Sequence, residues 1–208
     1  MNNNLKVYEY FKSPLYLIET PEWLSNINKI CDEYIDEQKS ISKQDINYLK
    51  NHEYSYQSTH LFNEKRLNEF GVYLLKTSFD VLNNQGYDLS NYNLHFEDMW
   101  VQEFADKGHH NSHIHPESHI SGFYFLKCSE NTSYPVFTDP RSSAVITSLP
   151  QKNKKDITYA TRDFSYNPKP GTLIFFNSYL PHQFNISDSK EDFRFIHFNI
   201  QAVRKVNR

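Results

Sequence analysis

Half of the histidines in this chain are concentrated in one short stretch. They are His109, His110, His113, His115 and His119. His113 and His115 are two residues apart, so on an extended segment their side chains leave the same face and can reach one metal ion. The apolar run of residues 120–126 follows directly and is typical of a buried strand. This stretch therefore predicts a metal site at the mouth of a β-barrel.

A second group of candidate residues lies near the end of the chain. His182 follows the motif PGTLIFFN, and Arg194 lies in the strand-like segment FRFIHFNI. On an extended strand Arg194 shares a face with Ile196 and Phe198, which we expect to be the inward, buried face. A buried arginine is unfavourable unless it meets an anion, and a small dicarboxylate would supply one. We therefore predict that folding brings His113, His182 and Arg194 to one site.

The elements that position these residues are predicted to be mainly strands. Aromatic residues make up 16% of the chain and favour strands. Two helices are predicted first, from Pro21 to about Ser40 and from about Asn63 to Gln85. Many short strands follow, and in the first of these Phe96, Trp100, Gln102 and Phe104 are predicted to share one face. Strands after two helices favour a β-sandwich or jelly roll.

The length of the chain predicts one domain over residues 1–208. Within it, we expect a helical and mixed support region over about residues 1–90 and a β core over about residues 92–203. The fold class is therefore mainly β with N-terminal helices, an α+β arrangement.

Charge and targeting signals restrict the partners. With 22 basic and 25 acidic residues and a net charge of −3, the chain has no basic excess for nucleic acid. Neither a secretory signal nor a long apolar run is present in the sequence, so we expect a soluble, cytoplasmic protein without a membrane partner. Cys31 and Cys128 are far apart and are given no role.

The order of the motifs resembles a known family. HxH, SGFYFL, FTDPR, PGTLIFFNSYLPH and an arginine followed by FN occur in this order over about residues 94–202. They resemble the 2-oxoglutarate- and Fe(II)-dependent oxygenases, in particular a subgroup from bacteria and their phages. The resemblance implies a double-stranded β-helix, the jelly roll or cupin-like barrel, buttressed by the two helices.

The resemblance also implies an activity and a site. A member of this family is a dioxygenase, usually a hydroxylase, that uses Fe(II), O2 and 2-oxoglutarate as cosubstrate. Its substrate here is unidentified, a small molecule or a protein side chain. Carried onto this chain, His113 and His182 bind iron, and Arg194 binds the far carboxylate of 2-oxoglutarate. Tyr124 is either a second contact to that carboxylate or an ordinary core tyrosine, and Trp100, Phe104, Tyr124 and Phe125 are candidate pocket walls.

One position departs from the commoner pattern of this family, because His115 stands where a carboxylate is usual. Three alternatives follow. His115 itself binds iron; or Asp139 or Glu117 completes a site of two histidines and a carboxylate; or the position is left to water. The place of His115 two residues after His113 favours the first.

Two other functions are compatible with these motifs. One is a cupin-type metalloprotein, which shares the barrel and the HxH, although Glu117 follows His115 too closely for the usual cupin spacing. The other is a jelly roll with only a structural or binding role. That second function gives no reason for paired histidines or an inward-facing Arg194.

Overall fold

A computed structural model describes residue 6 and residues 11–141 and 149–206. Parts of the predicted support region and residues 142–148 of the predicted β core lie outside the described residues. The described strands are β1 Leu15–Glu19, β2 Ser55–Gln57, β3 Tyr92–Phe104, β4 His110–His113, β5 Ile120–Lys127, β6 Pro135–Thr138, β7 Asp163–Ser165, β8 Thr172–Asn177, β9 His182–Phe184 and β10 Phe193–Arg204. The described α-helices are α1 Leu24–Ser42, α2 Tyr48–Asn51 and α3 Asn68–Asn84.

The strands form two antiparallel sheets. The larger has six strands in the order β1-β8-β5-β10-β3-β2, and the smaller has four in the order β4-β9-β6-β7. Most strands that pair in these sheets are distant in sequence, so the pairing brings together ends of strands that the sequence separates. The prediction of a mainly β chain with N-terminal helices is confirmed.

Helices α1 and α3 begin after short 3-10 turns. Pro21 starts the first turn, as its fixed φ and missing N–H allow, and α1 then runs from Leu24 to Ser42. Ile27, Ile30, Cys31 and Ile35 are spaced to form one buried stripe on α1. This stripe packs on one face of the six-stranded sheet, in the same buried cluster as residues of α3.

The central strands β5, β8 and β10 of the six-stranded sheet are therefore buried on both faces over most of their length. Its outer face, against α1 and α3, carries a cluster that includes Tyr124, Ile196 and Phe198. A phenylalanine cluster fills the space between its inner face and the four-stranded sheet. The cluster comprises Phe123, Phe125, Phe137, Phe176, Phe184, Phe193 and Phe195.

Phe96 does not share a face of β3 with Trp100 as predicted, because a β-bulge lies between them. Asn199 pairs with Asp98 of β3, whereas Ile200 pairs with Phe96, so Glu97 is an extra residue on β3. The bulge reverses the side-chain alternation at this point. Phe96 consequently packs in the outer cluster, while Trp100 contacts His197.

Candidate metal centre

Three histidines converge at one end of the space between the sheets. One ring nitrogen from each of His113, His115 and His182 lies within 4.8 Å of the other two. His113 and His182 are directly opposite each other on β4 and β9. His115 lies just beyond β4, where its backbone N–H donates to the Ser178 carbonyl at 2.9 Å. The structure thus brings together the three histidines that the sequence singled out.

Backbone carbonyls fix the orientation of two of these rings. The Nδ1–H of His113 donates to the Asn111 carbonyl at 2.6 Å, and the Nδ1–H of His182 donates to the Leu180 carbonyl at 2.9 Å. Because a carbonyl can only accept, the proton of each neutral ring sits on Nδ1. Each Nε2 then presents a lone pair to the centre of the group, which is the arrangement a metal ligand needs.

Burial keeps two of the imidazoles neutral. His182 is completely buried, and loss of solvation, followed by the nearby His113, holds its pKa well below the usual value. Burial likewise lowers the pKa of His115 to about 3, with smaller contributions from His113 and His110. A neutral imidazole can donate a lone pair to a cation at physiological pH. The group therefore fits a divalent transition metal.

Arg194 does not lie in this group, and its predicted inward orientation is wrong. It is on the outer face of β10, with only 2% of its surface exposed. Its Nε and Nη2 both contact Glu103 Oε2, at 2.7 and 2.6 Å, and its Nη1 contacts Asp32 Oδ1 at 2.6 Å. The anion that a buried arginine requires is thus supplied by β3 and α1. The outer face is as buried as the inner one because α1 covers it.

Tyr124 also lies on the outer face, so its predicted contact with a cosubstrate has no support. Its hydroxyl donates to the Thr20 carbonyl at 2.8 Å, and its ring packs 5.0 Å from that of Phe70. Of the other predicted pocket walls, Phe125 belongs to the phenylalanine cluster and Phe104 packs against it.

The two carboxylates considered as alternatives to His115 are not in the histidine group. Asp139 is bound by Arg141, with Nη2 2.6 Å from Oδ2. Glu117 is exposed on the loop after His115, with a φ of 71°. Within the described part of the chain, the group that can hold a metal contains histidines alone.

Sequence reasoning missed two residues beside His115. The His197 ring lies 4.5 Å from the His115 ring, and the Asn199 Nδ2 lies 3.3 Å from His115 Nδ1. Both are on the inner face of β10, opposite Arg194. Two polar residues at i and i+2 in an otherwise apolar strand are the signal that could have revealed them.

Two cavities adjoin this region. The smaller, about 220 Å³, is lined by His115, Pro116, His119, Leu82 and Tyr87 among others, and it gives access to one side of the histidine group. The larger, about 640 Å³, is lined by Phe137, Leu180, Asp139, Arg141 and Arg162 among others, and none of the three histidines lines it. We regard the smaller as the approach to the metal centre because it reaches a candidate ligand.

Comparison with known proteins agrees with the motif order. The family described as "Putative 2OG-Fe(II) oxygenase" matches residues 98–199, which include all three histidines. No curated protein matches the sequence.

Three solved structures resemble the fold at low sequence identity. A viral collagen prolyl hydroxylase from Paramecium bursaria Chlorella virus-1, solved with 2-oxoglutarate, is 18% identical with a TM-score of 0.50, over 93% of this chain and 96% of that one. A Pseudomonas putida prolyl-4-hydroxylase is 8% identical with a TM-score of 0.55, over 93% of each chain.

The third, HygX from Streptomyces hygroscopicus with nickel and 2-oxoglutarate bound, is 9% identical with a TM-score of 0.53, over 91% of this chain and 83% of that one. These likenesses concern the fold, and the family match concerns the sequence that carries the histidines. The chain therefore belongs to the 2-oxoglutarate- and Fe(II)-dependent oxygenases, enzymes that use Fe(II), 2-oxoglutarate and O2.

Proposed function

We propose that this enzyme is a hydroxylase whose iron is held by His113, His115 and His182. The single observation that carries this proposal is that one ring nitrogen from each of these three residues lies within 4.8 Å of the other two. Iron bound there would supply the activation of O2. The arginine gives no support to this function, because Glu103 and Asp32 already explain its burial.

The architecture we propose is the double-stranded β-helix of this family. Two sets of four strands support it: β8-β5-β10-β3 in one sheet and β4-β9-β6-β7 in the other. Such a fold places the end of β4 beside the start of β9, where His113 and His182 are paired. Strands β1 and β2 extend the larger sheet at its two edges.

The protein's own groups perform three tasks at this centre. The carbonyls of Asn111 and Leu180 orient two imidazoles, so that little rearrangement is needed when a metal binds. Burial keeps His115 and His182 neutral through a lowered pKa. The rings of Phe123 and others pack against His182 and exclude water from its inner side.

The three histidines fit an iron site, whereas Arg194 does not fit its expected role as the residue that binds 2-oxoglutarate. Arg194 is on the opposite face of the sheet from the histidines and is held by two carboxylates. It is therefore not the group that binds the far carboxylate of 2-oxoglutarate in this arrangement, and no step of the reaction is assigned to it.

Substrate approaches, in this proposal, through the cavity beside His115. Leu82 and Tyr87, from the end of α3 and the following turn, form part of its wall. The N-terminal region thereby contributes to specificity. A C–H bond of a small molecule or of an exposed protein side chain can enter such a site, whereas a cavity of about 220 Å³ cannot enclose a folded partner.

Turnover of the purified protein tests this function. Fe(II) and 2-oxoglutarate are added without oxygen, the metal-to-ligand absorption band is recorded, and succinate is measured after air is admitted. We expect the band and succinate from the wild type and neither from His182→Ala. Host extracts are then searched by mass spectrometry for a product heavier by one oxygen. Succinate formation at the wild-type rate by His182→Ala would refute the proposed centre.

A further inference from the structure

Among the described residues, the rings of His113 and His182 each have a backbone carbonyl partner, whereas the ring of His115 has none. Its Nδ1 faces the side-chain amide of Asn199, whose Nδ2 lies 3.3 Å away and donates to it. The proton of this neutral ring must then sit on Nε2. That Nε2 points at His182 Nε2, 3.2 Å away, which carries a lone pair because the proton of His182 is on Nδ1.

In this arrangement His115 is a hydrogen-bond donor to His182 and is not ready to bind a metal. A ligand must present the lone pair of Nε2, so the proton of His115 has to move to Nδ1. Nδ1–H then needs an acceptor. The amide of Asn199 can supply one if it turns over and presents Oδ1 in place of Nδ2.

The other partners of Asn199 permit this turn. Its Oδ1 now accepts from the Ser121 hydroxyl at 2.6 Å and from His197 Nε2 at 3.1 Å. A hydroxyl and a neutral imidazole can each act as donor or acceptor. The Ser121 hydroxyl is itself 2.8 Å from the Ser178 hydroxyl, and either can donate to the other. After the turn, Nδ2 donates to the Ser121 oxygen and to a His197 ring whose proton has moved to Nδ1, so the Asn199 amide keeps its partners in both directions.

We propose that Asn199 is a positioning residue that sets which ring nitrogen of His115 carries the proton, and that its amide turns over when iron binds. This inference rests on the proposed iron centre and goes beyond it. Without metal, the amide holds His115 as a donor to His182. With metal, the same amide accepts from His115 Nδ1 and holds Nε2 on the ion.

Substitutions of Asn199 test this role. Asn199→Leu removes the acceptor, so we expect about 10- to 100-fold weaker Zn(II) affinity, the loss typical of removing a partner that orients a ligand. Asn199→Asp offers only acceptors, to which His115, Ser121 and His197 can all donate, so it should bind Zn(II) at least as tightly as the wild type.

A matched control is available in the same sheet. Asn177 is 6% exposed, as is Asn199, and its amide exchanges two hydrogen bonds with Gln85. Asn177→Leu should lower stability without changing Zn(II) affinity. Wild-type affinity in Asn199→Leu, or equal losses in Asn199→Leu and Asn199→Asp, would overturn the proposal.

Nitrogen-15 NMR of the histidine rings gives the direct readout, with Zn(II) as a diamagnetic stand-in for iron. Without metal we expect the proton on Nδ1 in His113 and His182 and on Nε2 in His115. With Zn(II), all three should carry it on Nδ1.

If His113 and His182 respond to Zn(II) and His115 does not, the role of Asn199 is refuted while a two-histidine centre survives. If none of the three responds, both the centre and this inference are refuted. A His115 ring that carries its proton on Nδ1 before metal is added would also overturn the proposal.

Discussion

The side chains of β10 are buried on both faces over residues 193–200, but the polar groups on the two faces differ. On the outer face, Arg194 is neutralised by Glu103 and Asp32 beneath α1. On the inner face, His197 and Asn199 adjoin the histidine group among aromatic rings. The outer face ties a helix to the sheet, and the inner face presents neutral donors to a metal. A residue's function here is decided by the face it occupies, and neighbouring positions along the strand serve different purposes.

The largest expected effect concerns the outer face. Arg194→Ala removes both contacts to Oε2 of the buried Glu103 and leaves Lys39 on Oε1, so we expect the free energy of unfolding to fall by about 3 kcal/mol, the lower end of the loss typical of a broken buried ion pair. Zn(II) affinity of the folded protein should stay within about two-fold of wild type, since Arg194 does not contact the histidines. Urea unfolding and a chelator competition measure the two quantities.

A double variant separates the ion pair from the packing around it. Arg194→Met with Glu103→Leu removes both buried charges, while the half-exposed Asp32 and Lys39 can be solvated. Most of the lost stability should return. A large loss of Zn(II) affinity in either variant would contradict the claim that the outer face of β10 does not influence metal binding on the inner face.

The next effect concerns the inner face. His182→Ala removes a proposed ligand that is fully buried, so Zn(II) affinity should fall by more than about 100-fold, exceeding the loss typical of an orienting partner. His119→Ala is the matched control, because His119 lines the same cavity as His115 but does not belong to the metal group. Equal affinities for these two variants would contradict the assignment.

A smaller effect is expected in the pH dependence of stability, because the buried histidines near the inner face of β10 resist protonation. Burial holds the pKa of His197 well below its usual value and lowers that of His115 to about 3. Between pH 6.5 and 5 the unfolded chain binds protons that these folded-state rings do not bind. Metal-free protein should therefore lose up to about 1.4 kcal/mol per pH unit for each such histidine as pH falls.

Urea unfolding in the presence of a chelator at pH 7.5, 6.5 and 5 checks this slope. His197→Gln should make this slope shallower by the contribution of one histidine. An identical slope for wild type and His197→Gln would show that His197 is not held neutral.

The smallest expected effect concerns the alternative carboxylates. Asp139→Asn breaks a pair with Arg141, whose side chain is half exposed, so stability should change by less than about 1 kcal/mol. Zn(II) affinity should be unchanged, and the same holds for Glu117→Gln. A ten-fold loss of affinity in either variant, measured by chelator competition, would restore that carboxylate as a ligand.

Much of the centre was predictable because its signals are local. The spacing of His113 and His115 and the strand-like segments around them place two rings on one side of a short chain segment. The apolar runs at 120–126 and 172–176 predicted β5 and β8. His182 required the motif order as well, since β4 and β9 meet only through folding.

The face of Arg194 could not be predicted from the alternation of apolar residues. Helix α1 covers the outer face, so both faces of β10 are apolar and alternation does not say which is inward. The partner Glu103 lies 91 positions away, and bulges in the pairing of β10 with β3 and β5 reverse the alternation. The importance of His197 was missed for the same reason, because it lies opposite an arginine that was expected to be inward.

A crystal grown without oxygen and soaked with Fe(II) tests the central claim most directly. We predict an anomalous peak at the iron absorption edge, about 2.1 Å from the Nε2 atoms of His113, His115 and His182, with Arg194 still bound to Glu103. Iron bound through Asp139 or Glu117, or Arg194 turned into the space between the sheets, would contradict it.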